Sequence, residues 1–205
     1  MSKESEIVYV VDDEAGMRKA LTRLLRSEGF DVRAFASARD FLAAFRSEET
    51  ACLVLDVTMP GLDGMELQRR LTHADVLVPI VFLTGKGDIP MSVRAIKAGA
   101  VDFLTKPVND ADLLRAVRAA LQQAENRKAA HATAAALAAR FASLTPRERE
   151  VMAHVVAGKL NKQIAADLGT SEQTIKVHRG RVMEKMGVEW LADLVRAAER
   201  LGIGK

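Results

Sequence analysis

Five short apolar runs alternate with amphipathic segments between residues 7 and 106, and this alternation constrains the fold more than any other feature of the chain. The runs are IVYVV (7–11), VRAF (32–35), CLVL (52–55), PIVFL (79–83) and VDFL (101–104). Three of them are almost continuously apolar, which is typical of parallel strands that are covered on both faces. The segments that show helical spacing of apolar residues are 16–27, 38–46, 64–73 and 89–98. Strands that alternate with helices predict an α/β, doubly wound, five-stranded parallel sheet.

An alanine-rich segment without glycine or proline extends from residue 110 to residue 143. Its helix propensity is high throughout, so we predict one continuous helix that acts as a semi-rigid linker. The alternative is a last domain helix followed by a flexible linker. Leu137, Phe141 and Leu144 follow each other at helical spacing, which predicts that the end of this helix packs against other residues.

The last third of the chain has the pattern of a small all-α domain. Thr145, Pro146 and Glu148 match an N-cap, a first helical position and an acidic third position, so a helix is expected to begin here. The predicted helices, separated by glycines, are about 146–157, 161–168, 171–186 and 190–201. We therefore predict a domain at 1–122, a helical linker at 123–143 and a four-helix domain at 144–205.

Composition narrows the class of protein further. The chain has 205 residues, one cysteine and a net charge of +3. No apolar run approaches the roughly 18 to 20 residues that cross a bilayer, and the N-terminus does not have the pattern of a signal peptide. Cys52 lies in an apolar run and is expected to be a core thiol. These features predict a cytoplasmic protein that does not contact the membrane.

The charges are unevenly distributed along the chain. Residues 1–143 contain 19 Lys and Arg and 19 Asp and Glu, whereas residues 144–205 contain 11 and 8. The excess of positive charge therefore belongs to the C-terminal domain, where it weakly favours a polyanionic partner.

Polar side chains follow four of the predicted strands. They are Asp12, Asp13 and Glu14 after the first strand, Asp56 after the third, Thr84 after the fourth and Lys106 after the fifth. Right-handed crossovers can place these strands side by side, and ligands bind at the carboxyl ends of strands in open parallel sheets. Clustered carboxylates suit Mg²⁺ (or Mn²⁺), and an aspartate can act as a phosphoryl acceptor. The alternative for Asp56 alone is a residue that ends a strand in a turn.

Four motifs at these strand ends resemble the receiver domain of two-component response regulators. They are VVDDE (10–14), LDVTMPGLDG (55–64), FLTG (82–85) and DFLTKP (102–107). The resemblance covers residues 7–121 and implies a flavodoxin-like fold in which a sensor histidine kinase phosphorylates Asp56. It also implies that Asp13, Asp56 and the backbone carbonyl of Thr58 hold Mg²⁺ (or Mn²⁺), with Asp12 assisting.

The same resemblance assigns roles at the last two strand ends. It implies that Thr84 and Lys106 contact the phosphoryl oxygens and that the peptide bond between Lys106 and Pro107 is cis. Phe103 matches the aromatic switch residue of the family, and its alternative role is an ordinary strand residue in the core.

The segment NKQIAADLGTSEQTIKVHRGRVMEKMG (161–187) predicts two helices joined by a tight turn. Apolar residues define one face of each helix, and the second helix carries five basic side chains against two acidic ones. This pattern is typical of a helix-turn-helix, whose second helix enters the major groove of DNA. The alternative is a solvated basic face on an ordinary helical bundle.

LTPRERE (144–150), GKLNKQIAADL (158–168) and TIKVH (174–178) resemble the LuxR-type helix-turn-helix of the NarL/FixJ family. The resemblance implies that Lys176 and Val177 contact base edges. The residues that it assigns to DNA phosphates are Lys162, Thr174, His178, Arg179 and Arg181. Gly180 departs from the pattern of some relatives, in which a longer side chain faces DNA, so Arg179 or Arg181 is left to read the sequence there.

Together the two resemblances predict a DNA-binding transcriptional response regulator that is not an enzyme in the usual sense. Its expected partners are a sensor histidine kinase, promoter DNA and RNA polymerase. We expect phosphorylation to produce a homodimer through helix 89–98, the fifth strand and the last receiver helix.

Two other functions fit parts of the sequence. One is an aspartyl-phosphate phosphatase, although Thr58 stands where such enzymes commonly have a second aspartate. The other is a receiver-fold interaction module that works without phosphorylation.

Overall fold

A computed structural model describes residues 6–46, 49–74, 76–85 and 89–203. In its N-terminal part, five parallel strands form one sheet. The strands are β1 (Ile7–Val11), β2 (Asp31–Phe35), β3 (Ala51–Asp56), β4 (Ile80–Thr84) and β5 (Asp102–Thr105). Their order in the sheet is β2-β1-β3-β4-β5. The predicted doubly wound sheet is confirmed, and strands one, three, four and five lie side by side as expected.

Helices cover both faces of this sheet. They are α1 (Ala15–Ser27), α2 (Ala38–Ala44), α3 (Gly64–His73), α4 (Ile89–Lys97) and the first part of α5 (Asp110–Ala142). One apolar core contains residues of α2, α3 and α4, and the other contains residues of α1 and α5. Alternate residues of the central strands point to opposite cores: Leu53 belongs to the first and Cys52 to the second. Cys52 is fully buried, as predicted, and its burial raises the pKa of the thiol.

The alanine-rich segment is one uninterrupted helix, α5, of 33 residues. The chain divides into two compact units within this helix, Met1–Lys128 and Ala129–Lys205. The prediction of a continuous helix is therefore confirmed. None of the helices in the described part of the chain is both long and apolar enough to cross a membrane.

The second unit contains the end of α5 and four shorter helices. These are α6 (Pro146–Val156), α7 (Asn161–Asp167), α8 (Glu172–Met186) and α9 (Leu191–Arg200). Leu144 is part of their shared apolar core, and Leu137 and Phe141 pack against it. The helical spacing of these three residues thus predicted a real contact.

The start of α6 has the predicted capping arrangement. The Thr145 hydroxyl accepts a hydrogen bond from the Glu148 amide, and the Glu148 carboxylate accepts one from the Thr145 amide at 2.9 Å. Two amide groups that have no partner inside the helix are satisfied in this way.

Candidate functional site

Lys106 brings the acidic residues of the first unit together. Its Nζ atom lies 2.7 Å from Asp12 Oδ2 and 2.7 Å from Asp56 Oδ2. Both aspartates are buried, with exposed fractions of 1% and 4%. The strand register explains their proximity. Val11 of β1 lies opposite Leu55 of β3, and Asp12 and Asp56 are the residues that directly follow Val11 and Leu55. The ammonium group is therefore an internal counterion for two carboxylates that would otherwise repel each other.

The protonation of Lys106 depends on this environment. Partial burial by itself would lower the pKa of the lysine, because it disfavours the charged form. The hydrogen bonds to Asp12 and Asp56 oppose this effect and outweigh it, so that the pKa of Lys106 is raised above its usual value. The side chain is consequently a stable cation at the end of β5.

Three carboxylates can point to a common position beside this lysine. Asp12, Asp13 and Asp56 each offer an oxygen, and these oxygens lie within 4.8 Å of one another. Asp13 is exposed, whereas the other two are buried. Hard oxygen donors in this number fit a divalent cation such as Mg²⁺. The Thr58 amide also donates to Asp56 Oδ1 at 3.0 Å, which fixes the orientation of that carboxylate.

The polar residues at the ends of β4 and β5 lie near each other. Thr84 is fully buried at the last position of β4, and its carbonyl accepts a hydrogen bond from the Lys106 amide at 2.7 Å. The peptide bond between Lys106 and Pro107 is cis. Phe103 is half-buried, packs against the core and has its ring 6.1 Å from that of Phe82. The structure therefore brings the predicted phosphate-contacting residues to one edge of the sheet.

Two residues to which the resemblance assigned no role also lie at this edge. Arg18 Nη1 donates to the backbone carbonyl of Asp12 at 2.7 Å, and Glu14 Oε1 lies 3.7 Å from Lys106 Nζ. Glu14 was visible as a third consecutive acid after β1. Nothing in the sequence marked Arg18, because an arginine on an amphipathic helix is normally solvated.

Gly64 is the point at which α3 packs closest to the end of β3. Its amide donates to the Val57 carbonyl at 3.0 Å. A Cβ atom at this position would collide with the backbone carbonyl oxygen of Asp56. Glycine is therefore required by close approach of the two segments.

In the second unit, α7 and α8 form the predicted helix-turn-helix. The Ser171 hydroxyl caps α8 by accepting a hydrogen bond from the Thr174 amide at 3.1 Å. The predicted DNA-contacting residues that are exposed are Lys162, Thr174, Lys176, Val177 and Arg181. These side chains lie on the first turn of α7 and along α8, where they are accessible to a ligand.

The other two predicted DNA-contacting residues, His178 and Arg179, are half-buried. Arg179 Nη1 donates to Asn161 Oδ1 at 3.2 Å, so that this arginine joins α8 to the start of α7. His178 is half-buried, and its Nδ1 atom is buried without a hydrogen-bond partner among the described residues. A Cβ at Gly180 would meet no atom within 4 Å. Sequence reasoning missed Asn161, whose contact joins residues 18 positions apart.

Comparisons with known families agree with both units. Residues 8–118 match the response regulator receiver domain, and residues 142–198 match the bacterial regulatory proteins of the luxR family. We call the cluster of Asp12, Asp13 and Asp56 at the carboxyl ends of the strands the acidic edge. The sheet, this acidic edge and the helix-turn-helix thus define a two-component response regulator with a LuxR-type DNA-binding domain.

Individual relatives place the chain within this class. It is 51% identical to nodulation protein W of Bradyrhizobium diazoefficiens over 96% of this chain and 87% of the relative. It is 47% identical to the transcriptional regulatory protein FixJ of the same organism, over 96% of each chain. The solved structure of the response regulator StyR matches with 47% identity and a TM-score of 0.87, over 96% of this chain and 99% of the other. The chain belongs to the NarL/FixJ family of response regulators.

Proposed function

We propose that phosphorylation of Asp56 by a sensor histidine kinase switches this regulator into a form that binds promoter DNA as a dimer. The observation that carries the proposal is the position of the Lys106 ammonium between the buried carboxylates of Asp12 and Asp56. A cation at this point is suited to contact the oxygens of a phosphoryl group on Asp56.

The transfer step uses the carboxylate of Asp56 as the nucleophile. One carboxylate oxygen attacks the phosphorus atom of a kinase phosphohistidine, the P–N bond breaks, and the histidine nitrogen keeps the electron pair and later takes a proton from water. The product on this chain is an acyl phosphate. Lys106 and the hydroxyl of Thr84 then contact the new phosphoryl oxygens.

A divalent cation fits the same edge. Asp12, Asp13, Asp56 and the backbone carbonyl of Thr58 are the groups that would hold Mg²⁺ (or Mn²⁺). When bound, the ion supplies positive charge that offsets the charge of the phosphoryl oxygens. The support for this assignment is the closeness of the three carboxylate oxygens.

We infer that Thr84 and Phe103 transmit the change. Movement of the Thr84 hydroxyl toward the phosphoryl group would open space beside β4. Phe103 is only half-buried and already packs beside Phe82, so its ring can move further into the core. In this way the negative charge added at Asp56 would shift the equilibrium between two positions of the Phe103 ring.

The dimer is proposed to form through α4, β5 and the receiver part of α5. On α4 the exposed residues Ile89, Val93 and Ile96 follow each other at helical spacing, and Ile89 is 80% exposed. Exposed apolar residues that share one face of a helix favour a protein contact. The segment 123–143 would then connect the receiver domain (1–122) with the DNA-binding domain (144–205).

On DNA, α8 is proposed to lie in the major groove, with Lys176 and Val177 at base edges. An exposed valine suits contact with the methyl group of thymine. Lys162, Thr174, His178, Arg179 and Arg181 would meet phosphates, and RNA polymerase is a further proposed partner. Because Asn161 holds Arg179, we expect that arginine to contact DNA in one fixed orientation.

We also infer that the protein is a regulator and not a phosphatase. Thr58, two residues after the acceptor, has no carboxyl group that could protonate a leaving group. Turnover of a small phosphate ester that depends on Asp56 would contradict this inference.

Replacing Lys106 with methionine is expected to separate two properties of the acidic edge. Loss of the ammonium leaves the carboxylates of Asp12 and Asp56 without their counterion, so affinity for Mg²⁺ should rise by about tenfold. The gain in DNA affinity on addition of acetyl phosphate should disappear, because no cation contacts the phosphoryl oxygens. Isothermal titration calorimetry measures the first effect and fluorescence anisotropy of labelled DNA the second. Lys19→Met, an exposed lysine on α1, is the control, and identical behaviour of both variants would contradict the assignment of Lys106.

Replacing Lys176 with alanine is expected to weaken binding to a selected DNA sequence by about 1–3 kcal/mol and to relax the preference at one base pair. Arg181→Ala, at a proposed phosphate contact, should weaken binding to all sequences similarly and lower the salt dependence. Selection from random duplexes followed by anisotropy titration at several salt concentrations distinguishes the two variants. Equal loss on selected and unselected DNA for Lys176→Ala would rule out base reading by this lysine.

A further inference from the structure

A cavity of about 610 Å³ lies between α3 and α4, next to the loop that follows Asp56. Its lining includes Thr58 of that loop, Met65 and Gln68 of α3, and Met91 and Arg94 of α4. The volume is within the range of roughly 300–1,000 Å³ that is usual for sites of small organic ligands. The proposed phosphorylation switch uses Thr58 at this cavity but none of the other four residues.

Gln68, which contributes to the lining of this cavity, has a buried hydrogen-bond acceptor without a partner among the described residues. The residue is only 3% exposed, and its Nε2 atom donates to the carbonyls of Ala95 at 3.2 Å and Ala98 at 3.3 Å. These two bonds fix the amide, because Nε2 must be the atom that faces the carbonyls. Oε1 is buried and has no hydrogen-bond partner among the described residues. An unsatisfied buried carbonyl costs about 1–3 kcal/mol. Because Oε1 has almost no exposed surface, a ligand recovers this energy only when it displaces the side chains that cover the atom and donates a hydrogen bond to it.

One arginine beside the cavity favours an anionic ligand. Arg69, Arg94 and Asp63 are the charged residues of the lining, and Glu66, which pairs with Arg69, brings the sum of these four charges to zero. Glu66 holds the Arg69 guanidinium through two short hydrogen bonds, and Asp63 caps α3. Arg94 is exposed at the rim and forms no ion pair with another described residue, so its guanidinium is available to a carboxylate.

The apolar part of the lining favours an aromatic body. Met59, Met65 and Met91 all contribute to it, the first buried and the other two half-buried. Methionine side chains adapt their shape to a ligand and make favourable contacts between sulfur and aromatic rings.

We propose that this cavity is a binding site for a small aromatic carboxylate that carries a hydrogen-bond donor. The carboxylate contacts Arg94, the ring packs on the methionines, and the donor satisfies Gln68 Oε1. This site goes beyond the phosphorylation switch and does not require it, since no phosphoryl group takes part in binding. A small molecule bound in this cavity would also contact Thr58 and α4, which take part in the proposed phosphorylation switch and dimer.

The test measures binding of benzoate and of 2-, 3- and 4-hydroxybenzoate to the full-length protein without any phosphodonor, by isothermal titration calorimetry. We expect saturable binding at one site and at least one hydroxybenzoate that binds about tenfold more tightly than benzoate, the effect of one additional hydrogen bond. Benzyl alcohol, which has no carboxylate, should bind more weakly than any of the acids. Weak binding without saturation, or equal affinity for benzyl alcohol and the acids, would overturn the proposal.

Two variants test the two polar contacts separately. Arg94→Gln should weaken all four acids by about tenfold, whereas Arg39→Gln, an exposed arginine on α2, should not change the affinities. Gln68→Met retains the side-chain length but removes the acceptor, so it should abolish the preference for hydroxybenzoates over benzoate. If Gln68→Met fails to fold, Arg94→Gln still decides the outcome. Unchanged affinities in Arg94→Gln would exclude this site, and because no phosphorylation is involved, that result would leave the proposed switch untouched.

Discussion

Replacing Asp56 with asparagine should abolish covalent uptake of a phosphoryl group and with it the response of DNA binding to a phosphodonor. Asparagine is nearly the same size as aspartate, and its carbonyl can still accept the hydrogen bond that the Thr58 amide now donates to Oδ1. It has no negative charge to pair with Lys106 and no carboxylate oxygen to attack phosphorus. The fold should therefore survive while the chemistry is lost completely.

Intact mass spectrometry after incubation with acetyl phosphate and Mg²⁺ measures the uptake, and anisotropy titration of labelled DNA measures the response. Asp31→Asn is a suitable control, because it makes the same chemical change at an exposed residue at the start of β2. We expect the control variant to take up the phosphoryl group, and to respond to it in DNA binding, as the wild-type protein does. Label on the Asp56→Asn variant would refute the assignment of the acceptor. If the wild-type protein binds DNA with the same affinity in the presence and absence of beryllofluoride, the result would instead support a receiver-fold interaction module that works without phosphorylation.

Replacing Glu148 with glutamine should strongly destabilise the second unit. The Glu148 carboxylate is 2% exposed and accepts hydrogen bonds from Lys185 Nζ at 2.6 Å and from the Thr145 amide. Lys185 is the main reason that the pKa of Glu148 falls from 4.5 to about 2, and the Thr145 amide adds to the effect. A change of one in pKa corresponds to about 1.4 kcal/mol, so the lowering from 4.5 to about 2 corresponds to a stabilisation of the second unit by about 3–4 kcal/mol.

The sign of the pH dependence follows from the lowered pKa. The stabilisation is present above pH 4.5, where the group is ionised in both the unfolded and the folded chain, and is lost as the pH falls toward 2. Glutamine cannot form the ion pair, so the variant should be less stable at neutral pH and should lack this loss in acid.

Amide hydrogen exchange of peptides from α6 and α8, measured by mass spectrometry in the full-length chain, reports on the stability of this unit alone. Glu150→Gln is the control, since Glu150 pairs with Arg147 at the surface and exposed pairs contribute little. If exchange in the Glu148→Gln variant matches that of the control at neutral pH, the ion pair with Lys185 is not an important source of stability.

The convergence of Asp12, Asp56, Thr84 and Lys106 could be predicted because it depends on general rules of the fold. Parallel strands end at the same edge of a sheet, and right-handed crossovers restrict their order. Each residue directly follows or ends a strand, so locating the strands was sufficient to locate the residues. The helix start at Thr145 could be located for a similar reason, since capping depends on residues three positions apart.

Contacts that join distant parts of the chain could not be predicted in this way. The amide of Gln68 bonds to carbonyls 27 and 30 positions later, and its position on α3 resembles that of any polar helix residue. The hydrogen bond between Arg179 and Asn161 likewise depends on how α7 and α8 pack. Residue types and spacing contain little information about such contacts, because many partners are equally compatible with the sequence before the packing is known.

The absence of a side chain at position 64 has a consequence for how the switch tolerates change. Because a Cβ there would collide with the Asp56 carbonyl, even alanine must displace either the end of β3 or the first turn of α3. The backbone of Asp56, the proposed phosphoacceptor, is therefore sensitive to a residue that has no charge and takes part in no chemistry. Variation among functional sequences of this regulator should consequently be as restricted at this uncharged residue as at the acids themselves.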